Sequence, residues 1–224
     1  MSNLLIEHLT LCDVPFRPDF QAGGKRLLDI VASGSLLLCL SPMLLLIAGV
    51  VVTDRGPVLF AHRRVGRDGA MFSCLKFRTM RPDAQALLAD LLARDPVVRA
   101  EWEATRKVKQ DPRVTRVGRV LRATSLDELP QLLNVLRGEM SLVGPRPVLP
   151  EELDLYYAPA GARAAYLSVL PGITGPWQVG GRNNVSYAER VALDRAYAEK
   201  PSLVNDFRIL FRTASAVVRR AGAY

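Results

Sequence analysis

A stretch of 24 residues without a charged side chain, residues 30–53, limits what this chain can fold into more than any other feature. A helix that crosses the hydrocarbon core of a bilayer needs about 20 mainly apolar residues, so this stretch is long enough to enter a membrane. Ser41 and Pro42 lie at its midpoint. Because proline has no amide donor and clashes with the preceding turn, we predict a break between two helices at this point.

Basic residues flank the apolar stretch on both sides, with Lys25 and Arg26 before it and Arg55, Arg63, Arg64 and Arg67 after it. Short flanks rich in lysine and arginine favour the cytoplasm, so both ends prefer the same side of the membrane. A helix–break–helix hairpin that enters one leaflet and returns agrees with both features, and the Ser41 hydroxyl or packed protein can bond the backbone groups freed at the break. A kinked spanning helix is the alternative. We expect a re-entrant hairpin over residues 25–56, preceded by an N-terminal arm over residues 1–24.

The composition indicates a folded, cation-rich protein with an anionic partner. Of the 224 residues 49% are hydrophobic, which is enough to bury a core, and the formal net charge is +8. Such a charge fits nucleic acid, an acidic membrane surface or a phosphorylated substrate, and composition does not choose among them. The three cysteines (positions 12, 39 and 74) and the two histidines (positions 8 and 62) match no disulfide framework or zinc spacing.

The periodicity after the apolar stretch predicts an α+β domain over residues 57–224 that is mostly helical and contains one small β-hairpin. An Asp68-Gly69 pair between two β-rich segments is a strong hairpin signal. Apolar residues at helical spacing predict the helices that follow. The strands are expected at residues 58–65 and 71–77, and helices up to Asp95, around Trp102, after Ser186 and from Ser202.

A basic amphipathic segment covers residues 106–122, with seven basic residues against the single acid Asp111. Valine and leucine alternate with its arginines, as in helices that lie on anionic membrane surfaces. We interpret the segment as resting on headgroups or reaching a phosphate rather than reading nucleic acid. A solvated charged helix face is the alternative.

Two adjacent acids, Asp127 and Glu128, are expected at the opening of a short helix that ends at Gly138. The amide donors and partial positive charge of a helix N-terminus stabilise carboxylates and bound phosphate alike, so an acid pair, an anion and a metal can meet there. Helix capping is the competing interpretation, with Asp127 as the N-cap or Glu128 paired with Ser125 in a capping box.

Arginine and lysine in rigid segments provide candidate phosphate contacts. Arg146 stands between Pro145 and Pro147 directly after Gly144, so a stiff loop presents one guanidinium, whose fork matches phosphate oxygens. Further candidates are Lys76, Arg78, Arg122 and the glycine-rich residues 171–183 that end with Arg182 and Asn183. Carboxylates and cations without a nucleophilic hydroxyl triad are what metal-assisted phosphoryl transfer requires.

These motifs together resemble the bacterial sugar transferases, the monotopic phosphoglycosyl transferases. Five ordered segments carry the resemblance: Ser41-Pro42, residues 76–80, residues 125–131, residues 144–147 and residues 171–183. The similarity covers the chain from about Lys25 to its end. Shorter features, including Glu101-Trp102 and the final Gly222-Ala223-Tyr224, are similar to transferases that begin rhizobial exopolysaccharide synthesis with galactosyl phosphate.

The resemblance implies an enzyme of the bacterial inner membrane whose domain faces the cytoplasm and takes two substrates, a UDP-sugar and undecaprenyl phosphate. It implies that Asp127 attacks the sugar-bearing phosphorus, and that Glu128 holds metal or assists the second attack. Mg²⁺ is the implied cofactor, bound by Asp127 and Glu128. Substrate contacts are implied for Lys76, Arg78, Arg122, Pro145, Arg146, Gln178, Arg182 and Asn183, with Arg182 near the nucleotide.

Other functions remain open at this stage. A non-catalytic scaffold of polysaccharide assembly would share the membrane segment and the charge but tolerate loss of the Asp127 carboxylate. A nucleic-acid binder would require a steep salt dependence of binding, and the chain has no recognised DNA-binding motif, so no nucleic-acid partner is expected. Within the enzyme class a single-step transfer competes with the covalent route, and homodimerisation is left open.

Overall fold

The computed structural model describes residues 21–54, 56–105, 108, 111–180 and 185–218. A turn of π-helix over Gln21–Lys25 leads into one long helix, α1 (Arg26–Val52), which contains all but the last residue of the apolar stretch. Among the described residues, this helical region alone is long and apolar enough to cross a membrane, and little of it is buried by protein. The predicted membrane segment is therefore present as an apolar helix.

The helix α1 runs through Pro42 as one element, so the predicted break between two helices and the re-entrant arrangement are not confirmed. In a regular helix the carbonyl of Leu38 would accept a hydrogen bond from the amide of residue 42, and proline has none. The Ser41 hydroxyl donates to the Leu38 carbonyl at 2.8 Å instead. The predicted use of this hydroxyl is confirmed, and it explains how the helix remains continuous.

The predicted hairpin is confirmed as β1 (Leu59–Val65) and β2 (Met71–Phe77), which pair antiparallel along their whole lengths. The connection is a 3₁₀ turn over Arg67–Gly69 rather than a two-residue loop. Asp68 and Gly69 have φ angles of 57° and 78°, in the left-handed region that aspartate tolerates and glycine favours.

Helices dominate the rest of the chain, as predicted. Two of them, α2 (Ala84–Arg94) and α3 (Pro96–Thr105), follow the hairpin, and the others surround a pair of short parallel strands. In chain order these are α4 (Arg116–Thr124), α5 (Gln131–Arg137), β3 (Ser141–Val143), α6 (Pro150–Glu152), α7 (Arg163–Leu167), β4 (Gly172–Thr174), α8 (Pro176–Gly180), α9 (Tyr187–Glu199) and α10 (Leu203–Val218).

Both ends of α1 pack against this domain. Near its start, Leu28 and Ala32 contact a core cluster built from β2, α5, β3 and α10. Near its end, Ile47 and Val51 are buried with Phe77 of β2 and residues of α4. Leu37 also contacts the first cluster, and Met43, Leu44 and Ala48 contact the second. Both halves of α1 therefore pack on the domain, while many of its other apolar side chains are exposed.

Candidate active site

Asp127 and Glu128 lie in a 3₁₀ turn, Leu126–Glu128, between α4 and α5. Ser125 ends α4 with a left-handed φ of 58°, and Pro130 precedes the first residue of α5. The prediction places the acids at the opening of the short helix. In the structure they lie in the turn directly before it. No side chain caps either element, so the capping interpretation does not describe what these carboxylates do.

Glu128 forms an ion pair with Lys76 of β2, and the Lys76 Nζ to Glu128 Oε1 distance is 2.5 Å. Each side chain is 27% exposed, so the pair is shielded but remains open to a ligand. Lys76 points away from its neighbour Phe77, which is buried in the core, because successive strand residues face opposite sides. Because side chains alternate between the two faces of the strand, Lys76 lies on the face opposite the core, where it contacts Glu128.

Asn134 of α5 fixes the turn against β2. Its side chain is fully buried, its Oδ1 accepts a hydrogen bond from the Leu75 amide at 3.0 Å, and its Nδ2 donates to the Ser73 carbonyl at 2.8 Å. These bonds hold α5 beside the strand that carries Lys76. The sequence reasoning missed Asn134, since an asparagine inside a helix has no distinctive local signal.

The two adjacent carboxyls have opposite electrostatic environments. Burial raises the pKa of Asp127 above its ordinary value, although the charges of Lys76 and Arg122 act against this. Burial also pushes up the pKa of Glu128, but the charges of Lys76 and Arg146 outweigh it and hold that pKa below its usual range. Asp127 is thus the more basic carboxylate, and Glu128 is the more firmly ionised one.

Arg122 lies at the end of α4, with an exposed guanidinium whose charge acts on Asp127. Its Nε donates to the Thr79 hydroxyl at 2.9 Å. Gly118 allows α4 to approach this segment, because a Cβ there would lie 2.0 Å from the Thr79 carbonyl oxygen. The charge of Arg122 therefore acts on the acid pair, and its role in substrate binding stays a prediction.

Arg146 is presented by a loop at the end of β3 that packs directly on β4. A Cβ on Gly144 would lie 2.4 Å from the Leu170 carbonyl oxygen, and one on Gly175 would lie 2.1 Å from the Gly144 carbonyl oxygen. Pro145 is fully buried, and its carbonyl accepts a hydrogen bond from the Gly172 amide at 2.7 Å. Arg146 itself is half-buried, and its guanidinium takes part in no hydrogen bond within the part of the chain described. The two glycine-rich motifs thus form one rigid support for one cation.

Arg78 does not fit its predicted role in substrate binding. It is only 7% exposed, and its guanidinium donates to the carbonyls of Pro57 at 2.8 Å and Val51 at 3.0 Å. Val51 is in the last turn of α1, where carbonyls lack helical partners and a cation is favoured. Arg78 holds the end of α1.

Part of the predicted basic surface is also internal. Arg113 is buried, its Nη2 lies 2.6 Å from Asp111 Oδ2, and its Cζ lies 5.3 Å from the centre of the Trp102 ring. The expectation that it faces headgroups is wrong, because it is already paired. Arg116 and Arg119 remain exposed and line an open cavity of about 560 Å³ near the end of α1.

The remaining predicted contacts are less fully described. Gln178 lies on α8 and is half-buried. It packs close to Gly175, since a Cβ added to that glycine would lie 2.8 Å from the Gln178 Oε1. Arg182 and Asn183 are outside the described residues. Beside Gln178, the structure places Trp177, Arg190 and Asp194, which the sequence reasoning missed. Arg190 and Asp194 have i, i+4 spacing on a helix that starts with a Ser186–Glu189 capping box, and this spacing could have pointed to those two residues.

The acid pair alone does not make a closed metal site. Within the described residues no group of three or more His, Cys, Asp or Glu side chains could hold a metal ion. Mg²⁺ commonly binds one or two carboxylates together with substrate phosphates. Asp127 and Glu128 fit such a site, in which a diphosphate would complete the coordination.

Sequence comparisons show the family to which the chain is similar. The family described as bacterial sugar transferase matches residues 20–220. The undecaprenyl-phosphate galactose phosphotransferase of Salmonella typhimurium is 52% identical over 200 residues, which are 89% of this chain and 41% of the relative. The chain therefore spans about two fifths of that relative's length.

Two further relatives are covered more completely. The exopolysaccharide production protein ExoY of Rhizobium meliloti is 51% identical over 202 residues, which are 90% of this chain and 88% of the relative. The UDP-glucose:undecaprenyl-phosphate glucose-1-phosphate transferase of Caulobacter vibrioides is 41% identical over 208 residues, with coverages of 89% and 72%.

Proposed function

The chain belongs to the bacterial sugar transferase family, and on that premise we propose that it transfers a hexose-1-phosphate from a UDP-sugar to undecaprenyl phosphate. The products are an undecaprenyl diphosphate sugar and UMP, and the reaction is the first membrane step of exopolysaccharide synthesis. UDP-galactose is the first choice of donor, because the Salmonella typhimurium relative, at 52% identity, is named for galactose. UDP-glucose is the second choice, because the Caulobacter vibrioides relative, at 41% identity, is named for UDP-glucose. The observation that carries the proposal is the acid pair with Lys76, Arg122 and Arg146 acting on it.

The first step is attack by an Asp127 carboxylate oxygen on the β-phosphorus of the UDP-sugar. An O–P bond forms, and the bond from this phosphorus to the oxygen that bridges the two phosphates breaks, so UMP leaves with that electron pair. The raised pKa of Asp127 makes its carboxylate a better nucleophile, while Lys76 and Arg122 favour its ionised form. The intermediate is an aspartyl phosphosugar.

The second step is attack by a phosphate oxygen of undecaprenyl phosphate on the same phosphorus. The Asp127–phosphorus bond breaks, the carboxylate is regenerated, and the lipid diphosphate sugar is released. Arg146 and Lys76 provide fixed positive charge for the phosphoryl oxygens during both steps. Glu128, held ionised by these two cations, orients them toward the transferred group.

Asp127 and Glu128 would hold Mg²⁺ together with the diphosphate. When bound, this ion supplies charge neutralisation at the phosphoryl oxygens.

The contacts of α1 support insertion from one side of the membrane. Both of its ends pack on the same domain, whereas a spanning helix would carry its ends to opposite faces of the bilayer. Pro42 is where such a helix can bend. The last described helix, α10, also exposes Phe207 and Phe211 beside Arg208 and Arg212, a pattern of interfacial helices. We therefore propose a monotopic protein of the inner membrane with its domain in the cytoplasm.

The covalent intermediate provides the decisive experiment. Purified protein in detergent is incubated with Mg²⁺ and UDP-galactose without lipid acceptor, and its intact mass is measured. We expect a phosphohexose adduct together with one equivalent of UMP, and discharge of the adduct when undecaprenyl phosphate is added. Asp127→Asn should lose the adduct and lower turnover by more than about 10⁴-fold.

Asp90→Asn is the matched control, because Asp90 is an exposed acid of α2 that pairs only with Arg94 among the described residues, so it should keep full turnover. Turnover without any adduct in rapid-quench samples would replace the covalent route with single-step transfer. A protein that releases no UMP from any of a panel of UDP-sugars, with acceptor present, would instead be a scaffold.

A further inference from the structure

A group of aromatic and arginine side chains lies next to Arg146, whose guanidinium carbon is 5.7 Å from the centre of the Trp177 ring. The Arg190 guanidinium carbon is 4.6 Å from the centre of the Trp177 ring and 4.7 Å from that of Tyr187. The Tyr187 ring is in turn stacked on Tyr156, with 3.7 Å between ring centres. The Arg190 guanidinium thus lies against two aromatic rings, and aromatic and guanidinium planes of this kind are surfaces on which a planar base can stack.

Three polar atoms of this cluster are buried and have no hydrogen-bond partner among the described residues: Trp177 Nε1, Arg190 Nε and Asp194 Oδ1. Asp194 is completely buried, and its other oxygen accepts a hydrogen bond from the Tyr157 hydroxyl at 2.7 Å. Leaving such an atom unpaired costs about 1–3 kcal/mol. Native proteins contain few buried polar atoms without a partner, so three of them in one cluster indicate a place where a polar ligand can bond.

The three atoms belong to one neighbourhood. Arg190 and Asp194 are four residues apart on α9, so their side chains lie on the same face of the helix, and the charge of Arg190 acts on Asp194. Arg190 also covers the Trp177 ring. Two N–H donors and one carboxyl oxygen therefore lie in one cluster. Burial raises the pKa of Asp194 to about 7, so above that pH its Oδ1 is a carboxylate acceptor.

The cluster is continuous with the proposed phosphate site. The Arg146 guanidinium carbon is 5.7 Å from the centre of the Trp177 ring, and the charge of Arg146 acts on both Glu128 and Asp194. A substrate whose diphosphate contacts Arg146 would extend in one direction to the acid pair and in the other to the cluster.

We propose that Trp177, Arg190 and Asp194 bind the uracil base of the donor substrate, an inference that rests on the proposed function. Uracil presents two carbonyl acceptors and one N–H donor on its edge, which match two donors and one acceptor in number and kind. Cytosine replaces one carbonyl and the N–H with an amino group and a bare nitrogen. The three atoms are shielded from solvent, so the partly exposed Trp177 and Arg190 side chains shift as the base enters.

The test uses UMP and CMP as probes of the full-length protein in detergent, with Mg²⁺, by isothermal titration calorimetry. We expect UMP to bind at least about tenfold more tightly than CMP, because a mismatched edge leaves buried polar groups unpaired. Trp177→Phe keeps the aromatic ring but removes the donor, and Arg190→Gln removes the stacking cation. Each should weaken UMP binding about tenfold and raise the KM for UDP-sugar, with the KM for undecaprenyl phosphate unchanged.

Arg195→Gln is the matched control, since Arg195 is an exposed arginine on the same helix. A second readout is the fluorescence of Trp177 in a Trp102→Phe protein, which should change on addition of UMP. Thermal unfolding of each variant checks the fold, and if Arg190→Gln does not fold, Trp177→Phe decides the question.

Equal affinity for UMP and CMP, or unchanged UMP affinity in the folded variants, would overturn the inference. The two proposals fail separately. Selective UMP binding by a protein that never releases UMP from UDP-sugars would leave the base site standing and remove the transfer reaction. Normal turnover with unaltered UDP-sugar KM in both variants would remove only the base site.

Discussion

At the scale of single residues, neighbouring carboxyls acquire different chemistry from the side chains around them. Asp127 is 8% exposed and its pKa is raised, chiefly by burial, whereas Glu128 lies against Lys76 and has a lowered pKa. Environments that push two pKa values apart separate the roles of two acids of the same kind. We therefore assign nucleophilic attack to Asp127 and positioning of the cations to Glu128.

Lys76→Met tests this assignment. Without the lysine charge the pKa values of both Glu128 and Asp127 rise, so a higher pH is needed to ionise them, and the acid limb of the kcat/KM profile should shift to higher pH. At pH 7 we expect kcat/KM to fall about 10- to 100-fold, the loss expected for one charge-assisted contact. Lys200→Met, which changes an exposed lysine after α9, should leave the profile in place. An acid limb at the same pH in Lys76→Met would show that this ion pair does not control the titration.

At the scale of elements, one hydroxyl bonds the backbone carbonyl that the proline of α1 leaves without an amide donor. Pro42 leaves the Leu38 carbonyl without a backbone donor, and Ser41 donates to it. In an apolar environment an unpaired carbonyl is costly because no water replaces the missing bond. The Ser41 hydroxyl therefore replaces the backbone hydrogen bond to Leu38 that Pro42 removes.

A double-mutant cycle measures this pairing. Ser41→Ala should lower the free energy of unfolding by about 1 kcal/mol in the natural background, where it leaves the Leu38 carbonyl unpaired. In the Pro42→Ala background the same change should have little effect, because the new alanine amide can bond that carbonyl. Thermal unfolding of the four proteins in one detergent gives the comparison. Equal losses in the two backgrounds would mean that the hydroxyl does not substitute for the missing amide.

At the scale of the whole molecule, a buried polar network joins α1 to the support of Arg146. Lys25 is 2% exposed, and its Nζ donates to the Val143 carbonyl at 3.0 Å and lies 2.5 Å from Asp206 Oδ2 on α10. Asp29 accepts a hydrogen bond from the Leu142 amide at 3.0 Å. Both hydrogen bonds are made to the backbone of β3, directly before the loop that carries Arg146. The start of the apolar helix therefore helps to position that loop.

Lys25→Met should therefore destabilise the fold strongly, by about 3–5 kcal/mol, since it leaves the Asp206 carboxylate buried without its partner. The double variant Lys25→Met with Asp206→Leu should regain most of this loss, because it removes both charges. Arg163→Met breaks an exposed ion pair with Asp154 and should cost less than about 1 kcal/mol. Denaturant unfolding in detergent measures all three, and equal stability of Lys25→Met and Arg163→Met would contradict the prediction.

The sequence alone was sufficient for features that depend on local patterns. The β-hairpin, the helical majority and the apolar segment follow from residue periodicity and turn chemistry, and the acid pair and the arginine between two prolines are visible as motifs. Only the tertiary structure decided which cations reach the acids. Arg78 and Arg122 look alike in the sequence, yet Arg78 bonds the end of α1 while Arg122 acts on Asp127. Asn134 and Trp177 carry no local signal, because burial and partners come from segments distant in the chain, and those cannot be read from the neighbours of a residue.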